Sequence, residues 1–242
     1  MLAVLLTLSA RVQAAPVKIY SDVQDGYVDS FPTPVSWTTT MDAGDTGVPQ
    51  YRQAFVKFSL SGISGTLSSA TLYLYMFCSY LDGVYDGTSP LTNPGLGDCV
   101  VRHINDYGTL DGSDLNAASI LNDPGVLLSS SATPNVGYVS IDVKAAMQDD
   151  INKGRAFSSF MIKMITNTDA DPTVDEWEFY TSEQSGTSQD PYVEYAIGAG
   201  ASSPSVGGVV LPTNTLTVLA PYFTLIGLVA TAMVAVKRIR RA

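Results

Sequence analysis

The chain has 242 residues, 45% of them hydrophobic and 15% charged, with 20 Gly, 13 Pro and two Cys, which suits one large or two small domains and excludes a disordered polymer. Between residues 16 and 200 it carries 8 bases against 23 acids, a surface that repels phosphate backbones, so no nucleic-acid partner is expected. The single histidine, His103, excludes a His-rich zinc site and any two-histidine mechanism, and no Gly-rich phosphate loop is present.

Met1 to Ala15 is a short apolar run followed by small residues, with Val12-Gln13-Ala14 as a cleavage signature, and reads as a secretory signal peptide. From Pro16 onward the chain alternates in short segments separated by Gly, Pro, Asn and Asp, the habit of an all-β domain. Strands are predicted at 17–20, 26–30, 54–60, 70–77, 99–104, 137–143, 157–165, 176–182 and 192–197, a spacing that suits a β-sandwich. In the third of these Ala54, Val56, Phe58 and Leu60 share one face and Phe55, Lys57 and Ser59 the other, so it reads as buried on one side. In the fourth, Leu72, Leu74 and Met76 alternate with Tyr73, Tyr75 and Phe77, so it reads as covered on both.

Cys78 and Cys99 bound a stretch rich in Gly, Pro and Asp. Outside the cytoplasm an even cysteine count permits a disulfide between them, worth about 3 kcal/mol in the chain-entropy picture; two free buried thiols are the alternative. Residues 115–121 read as a short helix. After Asp142 the period changes: Val143, Met147 and Ile151 recur every four residues, which predicts a helix with Asp142 as N-cap and Gly154 as C-terminal cap.

The run NTDADPTVDEWE, residues 167–178, places Asn167, Asp169, Asp171, Thr173, Asp175 and Glu178 at positions 1, 3, 5, 7, 9 and 12 of a calcium loop. Pro172 stands where an EF-hand needs glycine, so the expectation is a structural Ca²⁺ site of another geometry in an acidic β-loop, with an Asp-rich turn as the alternative. Asp22, Asp25 and Asp29 form a second, weaker acidic cluster.

Residues 198–214 are rich in Gly, Ser and Pro, carry no charge, and read as a flexible stalk. Leu216 to Val236 is uncharged, and as a helix it would cover about 31 Å, the thickness of a bilayer's hydrocarbon core. The basic block Lys237-Arg238-Ile239-Arg240-Arg241 then places the tail in the cytoplasm and the acidic domain outside. The expected organisation is a signal peptide (1–15), an extracellular domain (16–197), a stalk (198–214), a C-terminal transmembrane helix (215–236) and a basic tail (237–242), a single-pass protein of the cell membrane. This end also resembles the C-terminal anchors of archaeal surface proteins.

Three blocks, QAFVKFSLSGISGTLSSATLYLYM, GYVSIDVKAAMQDDINKGRAFSSFMIKM and EFYTSEQSGTSQDPYVEY, together resemble the DNRLRE domain family. The matching residues are Phe58, Ala70, Leu72 and Tyr75, then Val143, then Phe179, Ser182, Glu183, Pro191 and Tyr195, with Tyr27 and Asp29 fitting the first strand. The resemblance spans Val17 to Ala196. It departs from the family in lacking a Trp between Ala145 and Asp149 and in the length of its 78–136 segment. It implies a jelly-roll-like antiparallel β-sandwich with one or two short helices, similar to carbohydrate-binding modules of surface proteins.

Trp37, Tyr73, Tyr75, Tyr80 and Tyr85 are the candidates for stacking on sugar rings, because an aromatic face offers apolar area to the C–H side of a pyranose. Trp177 and Phe179 read as core. Arg52, Lys57 and Arg102 are the bases that could meet an acidic glycan, with pairing to nearby Asp as the alternative. Neither Asp149 with Asp150 nor Glu176 with Glu178 shows the separation across a cleft that glycoside hydrolysis needs, and His103 reads as structural, so no catalytic residue and no enzyme are expected. The function expected is a membrane-anchored cell-surface binding module for a polysaccharide. The alternatives are a structural or adhesive subunit of the cell envelope and, least favoured, a glycan-active enzyme.

Overall fold

The computed structural model describes residues 15–30, 35–36, 38–47, 49–184, 186 and 188–198, and within them the protein is all-β, antiparallel throughout, with one α-helix. The strands are β1 (Val17–Tyr20), β2 (Gly26–Asp29), β3 (Val35–Ser36), β4 (Thr40–Gly47), β5 (Gln50–Ser59), β6 (Leu67–Leu81), β7 (Val84–Asp86), β8 (Cys99–Ile104) and β9 (Gly125–Leu128). After them come β10 (Gly137–Asp142), helix α1 (Lys144–Asn152), β11 (Phe157–Met164), β12 (Asp175–Tyr180) and β13 (Tyr192–Ile197). They join in the order β1-β13-β6-β12-β4-β5-β11-β8-β9, with β7 and β10 also paired to β6, β2 to β5, and β3 to β2.

The sheet curls so that one face closes on a single large core. Met41 and Ala43 of β4, Ala54, Val56 and Phe58 of β5, Leu72, Leu74 and Met76 of β6, Phe160 and Ile162 of β11, and Trp177 and Phe179 of β12 all point into it. This is the two-residue period at work: each strand sends alternate side chains to the same side. Strand β6 is the organiser. Its first half pairs with β13 and β10, and its second half with β12 and β7.

All nine predicted strands are present, and β5 and β6 run several residues longer than their apolar patterns. The sequence reading missed β3, β4, β7 and β9. In β4, TMDAGDTG, only Met41 and Ala43 are apolar, and the strand is held by pairing with β12 on one side and β5 on the other. Strand β5 is not one-sided: Phe55 packs with Val28, Ile104, Leu110 and Met161 in a second small cluster. Lys57 beside it is 4% exposed, and its Nζ donates to the Gly108 carbonyl.

The 115–121 segment is not a helix. A 3-10 turn, Gly112–Asp114, precedes it, capped by Asp111 and answered by Asp114 on the Asp111 N–H. Asn116 then donates its N–H to Gln53 and its side-chain amide to Tyr51 of β5, tertiary bonds that hold the segment against the sheet with Asn116 at φ +62°, outside the helical region. The other expected helix forms as α1, but its N-cap is Val143 without a side-chain cap, one residue later than the expected Asp142, which instead accepts from the Lys144 N–H at 2.8 Å; Gly154, at φ +66°, follows the last turn and donates to the Ile151 carbonyl. Val143, Ala146 and Met147 enter the core. Asp150, also buried, meets His103 Nε2 at 2.9 Å and pairs with Arg155.

Residues 1–14 of the expected signal peptide, Trp37, and residues 199–242, which include most of the expected stalk, the expected transmembrane helix and the expected basic tail, lie outside the described residues. Among the described residues no helix is long and apolar enough to cross a membrane.

Candidate functional site

The outward face of β6 carries the densest set of aromatic rings. Because Leu72, Leu74 and Met76 turn into the core, Tyr73, Tyr75 and Phe77 must turn out, and the neighbouring strands add rings beside them. Tyr192 of β13 lies directly across from Tyr73 and stacks on it, with centroids 4.6 Å apart. Tyr180 of β12 stacks between Phe77 at 4.3 Å and Tyr75 at 5.6 Å. Tyr138 of β10 stands edge-on to Tyr73, Tyr75 and Tyr192, and its hydroxyl donates to the carbonyls of Ser188 and Asp190. Tyr20 of β1 extends the row, and Lys18 Nζ lies 3.9 Å over the Tyr192 ring. Along the strand, Tyr80 and Tyr85 face each other across the β6–β7 pairing, 5.5 Å apart. The stacked rings cover one another, so the most accessible aromatic surface belongs to Tyr20, Tyr85 and Tyr138.

Next to these rings, on the same face, lies a knot of carboxylates. Glu178 of β12 is flanked by Asp42 of β4 and Cys78 of β6, and Glu176 by Gly44 and Tyr80. Arg52 of β5 sits across from Gly44, with Nη1 3.0 Å from Asp42 and 3.4 Å from Glu176, and Nε 3.3 Å from Asp29. One guanidinium thus serves three carboxylates, with Glu178 close by. Burial, with the Glu178 charge next to it, pushes the Asp42 carboxyl up to about 7. Burial and the Asp42 charge push Glu176 up to about 9. The Cys78 thiol donates to Glu178 Oε2 at 2.7 Å, and burial followed by that carboxylate raises the thiol's pKa far above its usual range.

At the end of the same strands lies a second acidic group made by Asp82, Asp171 and Asp175. The loop 168–174 folds back through Asx-type turns, with Asp171 accepting from the N–H and hydroxyl of Thr173. Asp175, at the first position of β12, accepts from the Asp82 N–H at 2.6 Å.

The residues predicted to hold calcium are therefore divided. Asp171 and Asp175 converge with Asp82, a residue the loop motif could not include, while Glu178 points to the opposite face of β12 and belongs to the Asp42–Glu176 group. Asn167 and Asp169 are in neither group. The linear spacing fails because β12 begins at Asp175, so residues beyond it alternate between faces and do not curl around one centre. Asp22, Asp25 and Asp29 also separate: Asp25 takes hydrogen bonds from Ser21 and Ser182, whereas Asp29 faces Arg52.

Cys78 and Cys99 are free thiols, which corrects the expected disulfide. Cys99 faces the core from β8, whereas Cys78 faces Glu178 on the outer side of β6. The intervening segment is ordered by Asp86, whose carboxylate accepts from Thr88 and Thr92. Tyr73, Tyr75, Tyr80 and Tyr85 share the β6 face as described. Arg102 does not join them: on β8 it pairs with Asp123 at 2.7 Å. Tyr138, Tyr180 and Tyr192 were missed as site residues, although the alternation around each of them was legible.

A cleft of about 610 Å³ lies elsewhere, between residues 122–124 and the start of α1. Its polar groups are committed to the fold, Gln148 to Leu67 and Gly65, Asp123 to Arg102, and Asp149 to Lys153 and Arg155. No protein-family model matches the chain, and no curated protein matches it in sequence.

Proposed function

We propose that this chain is a membrane-anchored surface protein whose domain, a jelly-roll-like sandwich of the kind the DNRLRE resemblance implies, binds a neutral polysaccharide along the outer face of β6. The observation that carries this reading is the continuous aromatic row on that face, from Tyr20 through Tyr192, Tyr73, Tyr138 and Tyr75 to Tyr180 and Phe77. A sheet face is rigid and nearly flat, so rings fixed on it match an extended chain of sugars at little entropic cost. Tyr138 and Tyr85 supply the accessible apolar surface, and Glu178, the half-buried carboxylate on the same face, accepts hydrogen bonds from sugar hydroxyls.

The charge of the ligand follows from the bases. Arg52, Lys57 and Arg102 are each paired with carboxylates, which leaves the exposed Lys18 over the Tyr192 ring as the base on the aromatic row, and the carboxylates around Arg52 repel an acidic glycan. The direct test is a glycan array probed with the purified protein, its Tyr138→Ala variant and its Tyr85→Ala variant. The expected result is selective binding to neutral glycans, weakened at least tenfold by Tyr138→Ala. Binding confined to uronic-acid polymers, or untouched by both substitutions, overturns the reading.

A second reading, an envelope or adhesive subunit, is favoured by the two strands that end the sheet. Each has an unpaired edge with exposed apolar residues, Val17 and Tyr20 on β1 and Val126 on β9. A blank array together with concentration-dependent self-association would select it.

A further inference from the structure

We propose that Asp82, Asp171 and Asp175 bind a calcium ion that fastens the β6–β7 turn to the loop leading into β12. Each residue offers one carboxylate oxygen, and the three oxygens lie within 4.8 Å of one another. They come from separate places in the chain, Asp82 being 93 residues before Asp175. The turn and the loop are already in contact, since the Gly83 N–H donates to the Val174 carbonyl at 2.9 Å.

A second observation, independent of the clustering, points to a ligand. Asp175 is 1% exposed, and while its Oδ1 accepts from Asp82, its Oδ2 is buried with no hydrogen-bond partner. Asp45, directly across on β4 and likewise buried, keeps its Oδ1 on the Gly47 N–H and leaves its own Oδ2 without a partner. Asp45 is outside the three-residue group, but a buried carboxylate oxygen without a partner, on Asp175 within the group and on Asp45 across from it, is costly unless a cation neutralises it. Among the described residues, no ion pair involves Asp45, Asp82, Asp171 or Asp175.

The donor set selects the ion. All donors are hard oxygens, with no histidine or cysteine among them, which disfavours zinc. Contributions from a turn, a loop and a strand give an irregular shell, which calcium tolerates with its six to eight ligands at variable angles, whereas magnesium demands a near-ideal octahedron. Asp82 is exposed, so the ion reaches the site from solvent. Because Tyr80 and Tyr85 flank Asp82 on the β6–β7 turn, the ion also fixes the position of these two rings. That last consequence rests on the polysaccharide reading, but the site itself does not.

The test uses the full-length protein in detergent after EDTA treatment. Calorimetric titration with CaCl₂ is expected to show one ion per chain, a raised Tm, and slower amide exchange at Asp82 and Gly83, by about 100-fold when calcium is near 100 times its Kd. Asp82→Asn and Asp171→Asn, both on the loop side of the site, are expected to abolish all three effects, and Asp82→Asn to do so while leaving the Tm in EDTA unchanged. Glu178→Gln, in the other acidic group, is expected to leave them intact. No calcium binding in the unmodified protein, binding that survives both Asn variants, or binding lost in Glu178→Gln overturns the proposal. Calcium binding without any glycan binding supports this site and sinks only the polysaccharide reading.

Discussion

Arg52 and Glu176 meet across Gly44. The three residues lie in one row over β5, β4 and β12, and the missing side chain in the middle is what lets the guanidinium reach a carboxylate two strands away. A Cβ at Gly44 would run into the Asp175 carbonyl and the Glu176 side chain, so the strands also approach too closely there for any other residue. The result is a polar ligature on the outside of the sheet, opposite the apolar core.

Removing that guanidinium takes away the cation that Asp42 and Glu176 share. Loss of one member of a buried ion pair costs about 3–5 kcal/mol, and the partial exposure of Arg52 lowers the expectation to about 2–4 kcal/mol. Arg52→Met should therefore lower the urea midpoint substantially, and Arg52→Met combined with Glu176→Gln should recover part of the loss. A neutral effect of Arg52→Met in urea melts would show that the ligature contributes nothing to stability.

The same groups predict an unusual pH dependence. Asp25 and Asp42 are pushed up to about 7 and Glu176 to about 9, in each case chiefly by burial, so the folded protein holds protons that the unfolded chain has released. The stability they contribute is fully present below the ordinary carboxylate range and is lost progressively as pH rises from about 4, completely by about 7 for Asp25 and Asp42 and by about 9 for Glu176. Asp86, Asp111, Asp149 and Asp171 are shifted the other way, and their contribution is lost only as pH falls below about 4. In EDTA, Tm is expected to fall between pH 5 and pH 9 by on the order of 5–10 °C. A flat or rising Tm across that interval would contradict the assigned environments.

The cysteines give a simpler test. Burial lifts the Cys99 thiol up to about 12 and, with Glu178, raises Cys78 further, so neither thiolate is populated at neutral pH. The native protein is expected to be inert to a thiol reagent at pH 7.5 and to yield two thiols per chain once denatured without reductant. Zero thiols after denaturation would mean that a disulfide forms after all.

The strands were legible where alternation was strong, as in LYLYM of β6, and VKFS of β5 showed its core face correctly. Its other face was misjudged because the cover comes from residues 105–117, distant in sequence and without a pattern of their own. Strand β4 was invisible for a related reason: its identity lies in two neighbours and a glycine, not in its own hydrophobicity. The aromatic face was half legible. Tyr73 and Tyr75 announce themselves, but Tyr138, Tyr180 and Tyr192 join them only through pairing with β6, and pairing is not written in any one strand. Of the residues in the calcium motif only Asp171 and Asp175 converge, and they do so with Asp82, since spacing along a chain does not determine which residues remain together once a strand begins at Asp175.

Strand β1 pairs with β13, Val17 with Tyr195 and Tyr20 with Tyr192, so the first strand of the domain is closed by the last. Strand β6 waits in the same way, because one of its edges is completed only by β12 and β13. The order of synthesis is therefore the reverse of what the sheet needs. A chain emerging from the ribosome or crossing a membrane carries the 15-residue β6 with that edge bare until the closing strands have followed it out. Completion of this domain is a late event tied to release of its C-terminal strand, and until then the tyrosine face stays open to any chaperone that recognises aromatic, extended chain.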